Sequence, residues 1–152
     1  MIALTVIGIP APQGSKTPWG TEANPNTKPW RAAVAGEAAR YFDGRPLIGV
    51  PVEVDALFVF PRPKAHYRTG RNAHLLKDTA PAWCSTKPDA DKLARAVGDA
   101  LTGVLLRDDN LIVEWRIRKV YGSPARCELK IAAADAAHSN ASHKPSNERR
   151  QP

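Results

Sequence analysis

Cysteine is scarce in this chain of 152 residues: Cys84 and Cys127 are the only two. They are too few for a disulfide framework and form no C-x-x-C pair, so the expectation is two free thiols in a reducing compartment. Long apolar runs are missing as well. No stretch approaches the ~20 residues that a membrane span requires. The opening MIALTVIGIPAP has no charged n-region and only a short apolar run, which argues against a signal peptide. These absences point to a cytoplasmic protein with no membrane partner. There is no internal repeat and no Ser-His-Asp grouping. A phosphate-binding loop is excluded too, because Gly8 and Gly14-Ser15-Lys16 stand one residue too far apart for that pattern. His138 and His143 lack a nearby cysteine pair, which argues against zinc.

Positive charge, by contrast, is plentiful. Lysine and arginine number 22 against 15 acids, a formal charge of +7. That balance suits a polyanionic partner, nucleic acid or an acidic membrane surface, or else a merely solvated basic surface. The length suits one domain, large enough to bury a core without staples.

Residues 2–9 are rich in β-branched side chains and stop at Pro10, so they read as a buried strand. Residues 10–29 carry Pro, Gly, Asn and Thr and read as a loop. Pro29 is placed to open a helix, with Trp30, Val34, Ala38 and Tyr41 on one face. Residues 51–60 alternate Val52, Val54 and Ala56 against Glu53 and Asp55, the pattern of a half-buried strand. Residues 61–87 form a second long loop, a length that is often functional. Residues 88–102 read as a helix with Leu93, Val97, Ala100 and Leu101 buried and Gly103 beyond its end. Residues 111–121 and 126–134 read as strands, and Gly122-Ser123-Pro124 suggests a hairpin between them. The expected fold is α/β (α+β): a small mixed four-stranded sheet with two main helices, in the order β-α-β-α-β-β. The domain is expected over 1–134, followed by a polar tail at 135–152 that reads as disordered.

The acids between residues 87 and 110 carry the most chemistry. Asp89 and Asp91 stand at the start of the second helix, where acids cap and complement the dipole. Asp108 and Asp109 follow that helix and precede a strand. Residues two apart on a helix point to nearly opposite sides. Asp89 and Asp91 therefore converge only if Asp89 lies in the extended entry segment, which Pro88 favours. Asp91, Arg95 and Asp99 at i, i+4 and i+8 form a charged side. A turn at Gly103 can return Asp109 towards the helix start. Three carboxylates would then offer the oxygen ligands that a hard cation prefers. Spacing alone leaves two readings open, a metal site or helix-capping and turn acids.

The stretch resembles the RusA family of Holliday-junction resolvases, common in phages and prophages. The resemblance rests on Asp89-Ala90-Asp91, Leu93, Arg95, Asp99-Ala100-Leu101 and Asp108-Asp109, in that order and spacing. The opening GIPAPQGSK at 8–16 and Tyr121-Gly122 also fit, so roughly residues 2–132 are covered. The resemblance implies a magnesium-dependent DNA endonuclease (manganese a substitute) acting on four-way or other branched DNA, as a homodimer, in recombination and repair. It implies that Asp89, Asp91 and the second acid of Asp108-Asp109 bind the metal, with Asp109 the choice. Arg95 falls where the family often has a catalytic lysine, and arginine does not readily donate a proton. Lys92 and Leu111 also depart from the pattern. The rival expectations are a nuclease preferring other branched or single-stranded DNA, a non-catalytic basic DNA-binding protein, and an interaction protein without a nucleic-acid role.

The loop at 61–77 holds Arg62, Lys64, Arg68, Arg71 and Lys77 with no acid, interleaved with His66, Tyr67 and His74. Such a segment suits phosphate contact and base stacking, or else is a solvated mobile loop. Lys87 stands at the end of the same long loop. Lys16 and Lys28 in the first loop, and Arg116 and Arg118 on one face of the third strand, could extend the basic track. Trp30 and Trp115 read as core, and Trp19 and Trp83 as loop residues within reach of DNA.

Overall fold

The computed structural model describes residues 1–14, 16–21 and 23–136. The segment expected to be a disordered tail lies outside the described residues from 137 onward. The order of elements is the expected one. Strand β1 spans Ile2–Ile7, helix α1 Thr27–Phe42, β2 Val52–Phe60, helix α2 Ala90–Leu101, β3 Ile112–Tyr121 and β4 Arg126–Ala133. The strands form one mixed sheet in the order β1-β4-β2-β3.

The pairing corrects one expectation. Strands β3 and β4 do not form a hairpin, because β2 lies between them, parallel to β3 and antiparallel to β4. The cause is β2 itself. Val52, Val54, Ala56, Phe58, Val59 and Phe60 are all buried, so this strand takes an interior position with a partner on each edge. The turn residues carry the chain across the end of β2 instead. Gly122 donates its N–H to the Phe60 carbonyl at 2.9 Å. A Cβ there would stand only 2.8 Å from Val59 Cγ1, so the crossing is close enough to demand glycine. The parallel β2–β3 pair needs a long crossover, which α2 supplies.

Helix α1 begins two residues before Pro29. Proline is tolerated there because the first-turn N–H groups have no helical partner. Its buried face is Thr27, Trp30, Val34, Ala38 and Phe42. The i, i+4 ladder thus ends on Phe42, and Tyr41, expected inside, is 42% exposed. The Thr27 hydroxyl donates to the Pro12 carbonyl at 2.6 Å and ties down the first loop.

The two helices pack on each other, α1 also on β1 and α2 also on β3. Between them and the sheet lie Leu4, Val6, Val54, Phe58, Leu93, Val97, Leu101, Leu105, Leu106, Cys127, Leu129 and Ile131. The other face of the sheet is polar. Asp55 there meets Arg118 at 2.8 Å and Arg116 at 3.9 Å.

Candidate functional site

The start of α2 meets the geometric condition set by the sequence. Asp89 is the N-cap residue, extended at φ −70° and ψ 141°, and the helix begins at Ala90. Its carboxylate nevertheless accepts no capping hydrogen bond. It lies 3.3 Å from Lys92 Nζ instead. Both side chains are about half exposed, and such a surface pair contributes at most about 1 kcal/mol, so it yields readily to a stronger partner.

Two clefts open on either side of this helix start. The first, of about 350 Å³, is lined by Asp91, Ala94, Arg95, Gly98, Asp109, Ile112, Trp115 and Ile117. Here two acids from separate segments share one space with a cation. Asp109 arrives by way of a 3-10 turn at Asp109–Leu111. Gly98 leaves this approach open: a Cβ at this position would stand in ordinary contact, 3.6 Å from the Asp109 Cβ, so a longer side chain would enter the cleft. Asp108, in contrast, uses its carboxylate within the turn, accepting from the Asn110 N–H at 2.9 Å. Of the adjoining acids, Asp109 is the one that faces the cleft.

The same geometry sets a limit. Gly98 lies seven residues from Asp91, about 10 Å along the helix axis, so Asp109 enters two turns below Asp91 with Arg95 between them. Asp89 lines the second cleft instead. Among the described residues no group of three or more His, Cys, Asp or Glu stands close enough to hold a metal ion. Asp99 also parts from Asp91. At 100° per residue, i+8 is rotated by about 80° while i+7 returns almost to the same face. Gly98 therefore shares the cleft, and Asp99 faces a groove with Lys16, Lys28 and Arg31.

The second cleft, of about 790 Å³, lies between the first loop, α1 and the entry to α2. Pro10, Pro29, Trp30, Phe60 and Pro88 give it apolar walls, with Lys87, Asp89 and Lys92 also lining it. The Lys92 carbonyl accepts from the Gln13 N–H at 3.0 Å, which fastens the first loop to α2.

The basic loop divides into two kinds of residue. Arg62 is spent on the fold: its guanidinium lies 4.5 Å from the centre of the Tyr121 ring and donates to the Pro81 carbonyl at 2.7 Å. His66 meets the same ring edge-on at 5.4 Å. Arg68 donates to the Leu76 carbonyl and to Asp78 at 3.2 Å. A bridge between Tyr67 and Leu76 closes the segment into a small folded unit. Lys64, Arg71 and Lys77 remain exposed on its surface. Arg116 and Arg118 lie on the polar sheet face, bound to Asp55, with Trp115 and Ile117 turned the opposite way into the acidic cleft.

Three contributors escaped the sequence reading. Gly98 carried a usable signal, a small residue at i+7 from Asp91. Arg31 joins Lys28 at helical spacing beside Lys16 and was equally accessible. Trp115 as a wall of the acidic cleft had no local signal, because only the placement of β3 against α2 puts it there.

Comparison with known proteins adds an independent line. The sequence profile of the family described as Endodeoxyribonuclease RusA matches residues 10–132. The chain is also similar to the "Uncharacterized protein YqaN" of Bacillus subtilis (strain 168). The two are 29% identical over 150 residues, covering 89% of this chain and 98% of that protein.

Proposed function

The chain belongs to the RusA family of Holliday-junction-resolving endodeoxyribonucleases, and on that premise we propose that it cuts four-way DNA junctions by magnesium-dependent paired nicks in recombination and repair. Family membership makes it an enzyme and sets aside the non-catalytic binder and the interaction protein without a nucleic-acid role. The reading of the site rests on one observation: Asp91 and Asp109 line the same cleft with Arg95, beside an N-cap carboxylate, Asp89, that caps nothing.

The donor chemistry fits magnesium, a hard cation that takes carboxylate oxygens and keeps positions for water and phosphate. Asp91 and Asp109, the two acids that share a cleft, would supply its carboxylates. Asp89 lines the neighbouring cleft and would join them only by leaving Lys92 and turning across the helix start, while Asp108 is kept by its own turn. A magnesium ion bound there supplies an activated water and neutralises charge developing on the cleaved phosphodiester. Arg95 contributes a fixed cation that clamps a phosphate oxygen and balances the transition-state charge. Lys92, released from Asp89, adds a second positive group at the same helix end. Lys64, Arg71, Lys77, Lys87 and the Lys16, Lys28, Arg31 group hold the DNA backbone, a contact that gives affinity without sequence choice. Two matched cuts in a nearly two-fold junction call for two sites, which a homodimer provides.

The test is incubation of purified protein with a synthetic four-way junction, a replication fork and a linear duplex, each with and without magnesium. The expected result is metal-dependent cutting with preference for the four-way junction, abolished in Asp89→Asn and Asp91→Asn while DNA binding persists. If no branched substrate is cut under any metal condition, the reading fails.

A further inference from the structure

The two edges of the sheet are built differently. Strand β3 forms one edge and carries Glu114, Arg116, Arg118 and Lys119, and charges of this kind keep an edge from pairing with another chain. The second loop also braces it, since Lys119 donates to the Thr86 carbonyl at 2.6 Å. Strand β1 forms the other edge with the sequence IALTVI. It has no charge, no proline and no bulge, and among the described residues no strand lies beyond it.

The backbone of β1 is set for a partner. The Gly8 N–H donates to the Ala125 carbonyl at 2.9 Å, in the same register that pairs Leu4 with Leu129. Even-numbered residues therefore turn their N–H and C=O groups towards β4, while Ala3, Thr5 and Ile7 turn theirs outward. The side chains of these three residues stand on the open face of the sheet and are exposed, Ile7 by 62%. Beside the edge runs a groove lined by Val6, Ile7, Ala33, Gly36, Glu37 and Arg40, between β1 and the flank of α1. Ala33 and Gly36 keep that flank low. Glu37 and Arg40 give it one charge of each sign, 2.8 Å apart.

We infer that the β1 edge pairs with the β1 edge of a second copy of this chain, antiparallel about a two-fold axis at Thr5, joining the two sheets into one. The inference deepens the homodimer of the paired-nick reading, on which its use rests, and names the surface. Self-complementarity argues for a copy of the same strand. In this register Thr5 meets its own counterpart, and Ala3 of each chain meets Ile7 of the other, small against large. Every outward N–H and C=O of the three residues then finds a partner. The α1 flanks run antiparallel about the same axis, so the acid and base of one meet the base and acid of the other. The acidic cleft is built on α2 and β3, at the opposite side of the sheet, and stays open in both subunits.

The experiment places a cysteine on the axis. In Thr5→Cys the two thiols sit directly opposite each other with Cα atoms about 5.5 Å apart, within reach of a disulfide. The full-length variant, treated with copper phenanthroline, is expected to run as a covalent dimer on a non-reducing gel. Val113→Cys, at a residue 60% exposed on β3, is expected to run as a monomer. Cys84 and Cys127 are buried and do not compete. Thr5→Pro removes only an outward N–H, which an edge strand tolerates. It should weaken the wild-type dimer at least about tenfold in sedimentation equilibrium. The cross-link carries the test should Thr5→Pro fold poorly. A wild-type chain that stays monomeric at every concentration overturns the inference and leaves the edge to a strand of another protein. A folded Thr5→Pro dimer as tight as wild type overturns it, and so does a cross-link in Val113→Cys but not in Thr5→Cys, which moves the contact to β3. Cutting of a four-way junction is scored on the wild-type protein with magnesium. Cutting without the Thr5→Cys cross-link defeats the edge assignment alone, and the cross-link without cutting defeats the nuclease reading alone.

Discussion

The two clefts flanking the start of α2 differ in what their walls can do. One is small and charged, with Asp91, Arg95 and Asp109 around Trp115. The other has more than twice its volume and is walled by rings, with charge mainly at Lys87, Asp89 and Lys92. Carboxylates on a short-range scaffold of helix and turn suit chemistry on phosphate. Apolar rings held by prolines suit shape-selective binding. The difference is set at one helix entry, where an extended N-cap turns Asp89 to one side and the first helical turn directs Asp91 to the other.

The largest effect that would break this comparison is expected from the acids. Asp91→Asn and Asp109→Asn should each lower magnesium-dependent cutting by at least about a hundredfold, the worth of several kcal/mol of charge stabilisation. Asp108→Asn should cut nearly as well as wild type, since an amide oxygen can still accept from the Asn110 N–H. Single-turnover cleavage rates check all three. Equal losses at Asp108 and Asp109 would remove the distinction between them.

A somewhat smaller effect is expected at Gly98. Gly98→Leu fills the acidic cleft and pushes the Asp109 turn away, while the ring-walled cleft is untouched. Misplacement of about 1 Å costs up to about a hundredfold in rate. Junction affinity in the absence of metal should hold, as read by a binding titration. Gly98→Ala, whose added atom meets Asp109 at an ordinary 3.6 Å, should be milder.

The basic loop offers the next test, because its residues are not equivalent. Arg71→Ala should weaken DNA binding and flatten its salt dependence by about 0.9 in log–log slope, with no change in stability. Arg62→Ala removes a cation–π contact and a carbonyl hydrogen bond, and should cost about 1–2 kcal/mol in urea denaturation. If Arg62→Ala changed the salt slope and left stability alone, its structural role would be wrong.

The smallest effect concerns the core beneath both clefts. Burial, followed by the nearby Glu128 charge, pushes the Cys127 thiol well above its ordinary range. Unfolded, it ionises above about pH 8.5. Above that value the unfolded chain holds fewer protons than the folded one, so stability falls as pH rises, by up to about 1.4 kcal/mol per unit from this group. Chemical denaturation between pH 8 and 10 of wild type and Cys127→Ala checks this, the variant losing the slope. The folded thiol should also resist alkylation.

The family and the order of elements were legible because they depend on local signals. Pro88 before Asp89 marks an extended entry, and the apolar stripe of α2 is complete within a dozen residues. Asp89, Asp91 and Asp109 stand out by spacing, which left a metal site and capping acids both open; Asp89 makes no capping hydrogen bond, and the three acids do not meet at one point among the described residues. The loop cations were legible as charge but not as roles, since Arg62 finds Tyr121 only after β2 and β3 pair.

The sequence by itself determined six elements, their types, a basic surface and a family. Periodicity, proline and charge act within a few residues, so the chain displays them directly. Tertiary structure alone decided that β2 separates β3 from β4, that Asp109 packs at Gly98, and that Asp89 faces a ring-walled cleft while Asp91 faces an acidic one. Those outcomes turn on which distant strands satisfy the edges of a buried strand, and no local pattern encodes that choice.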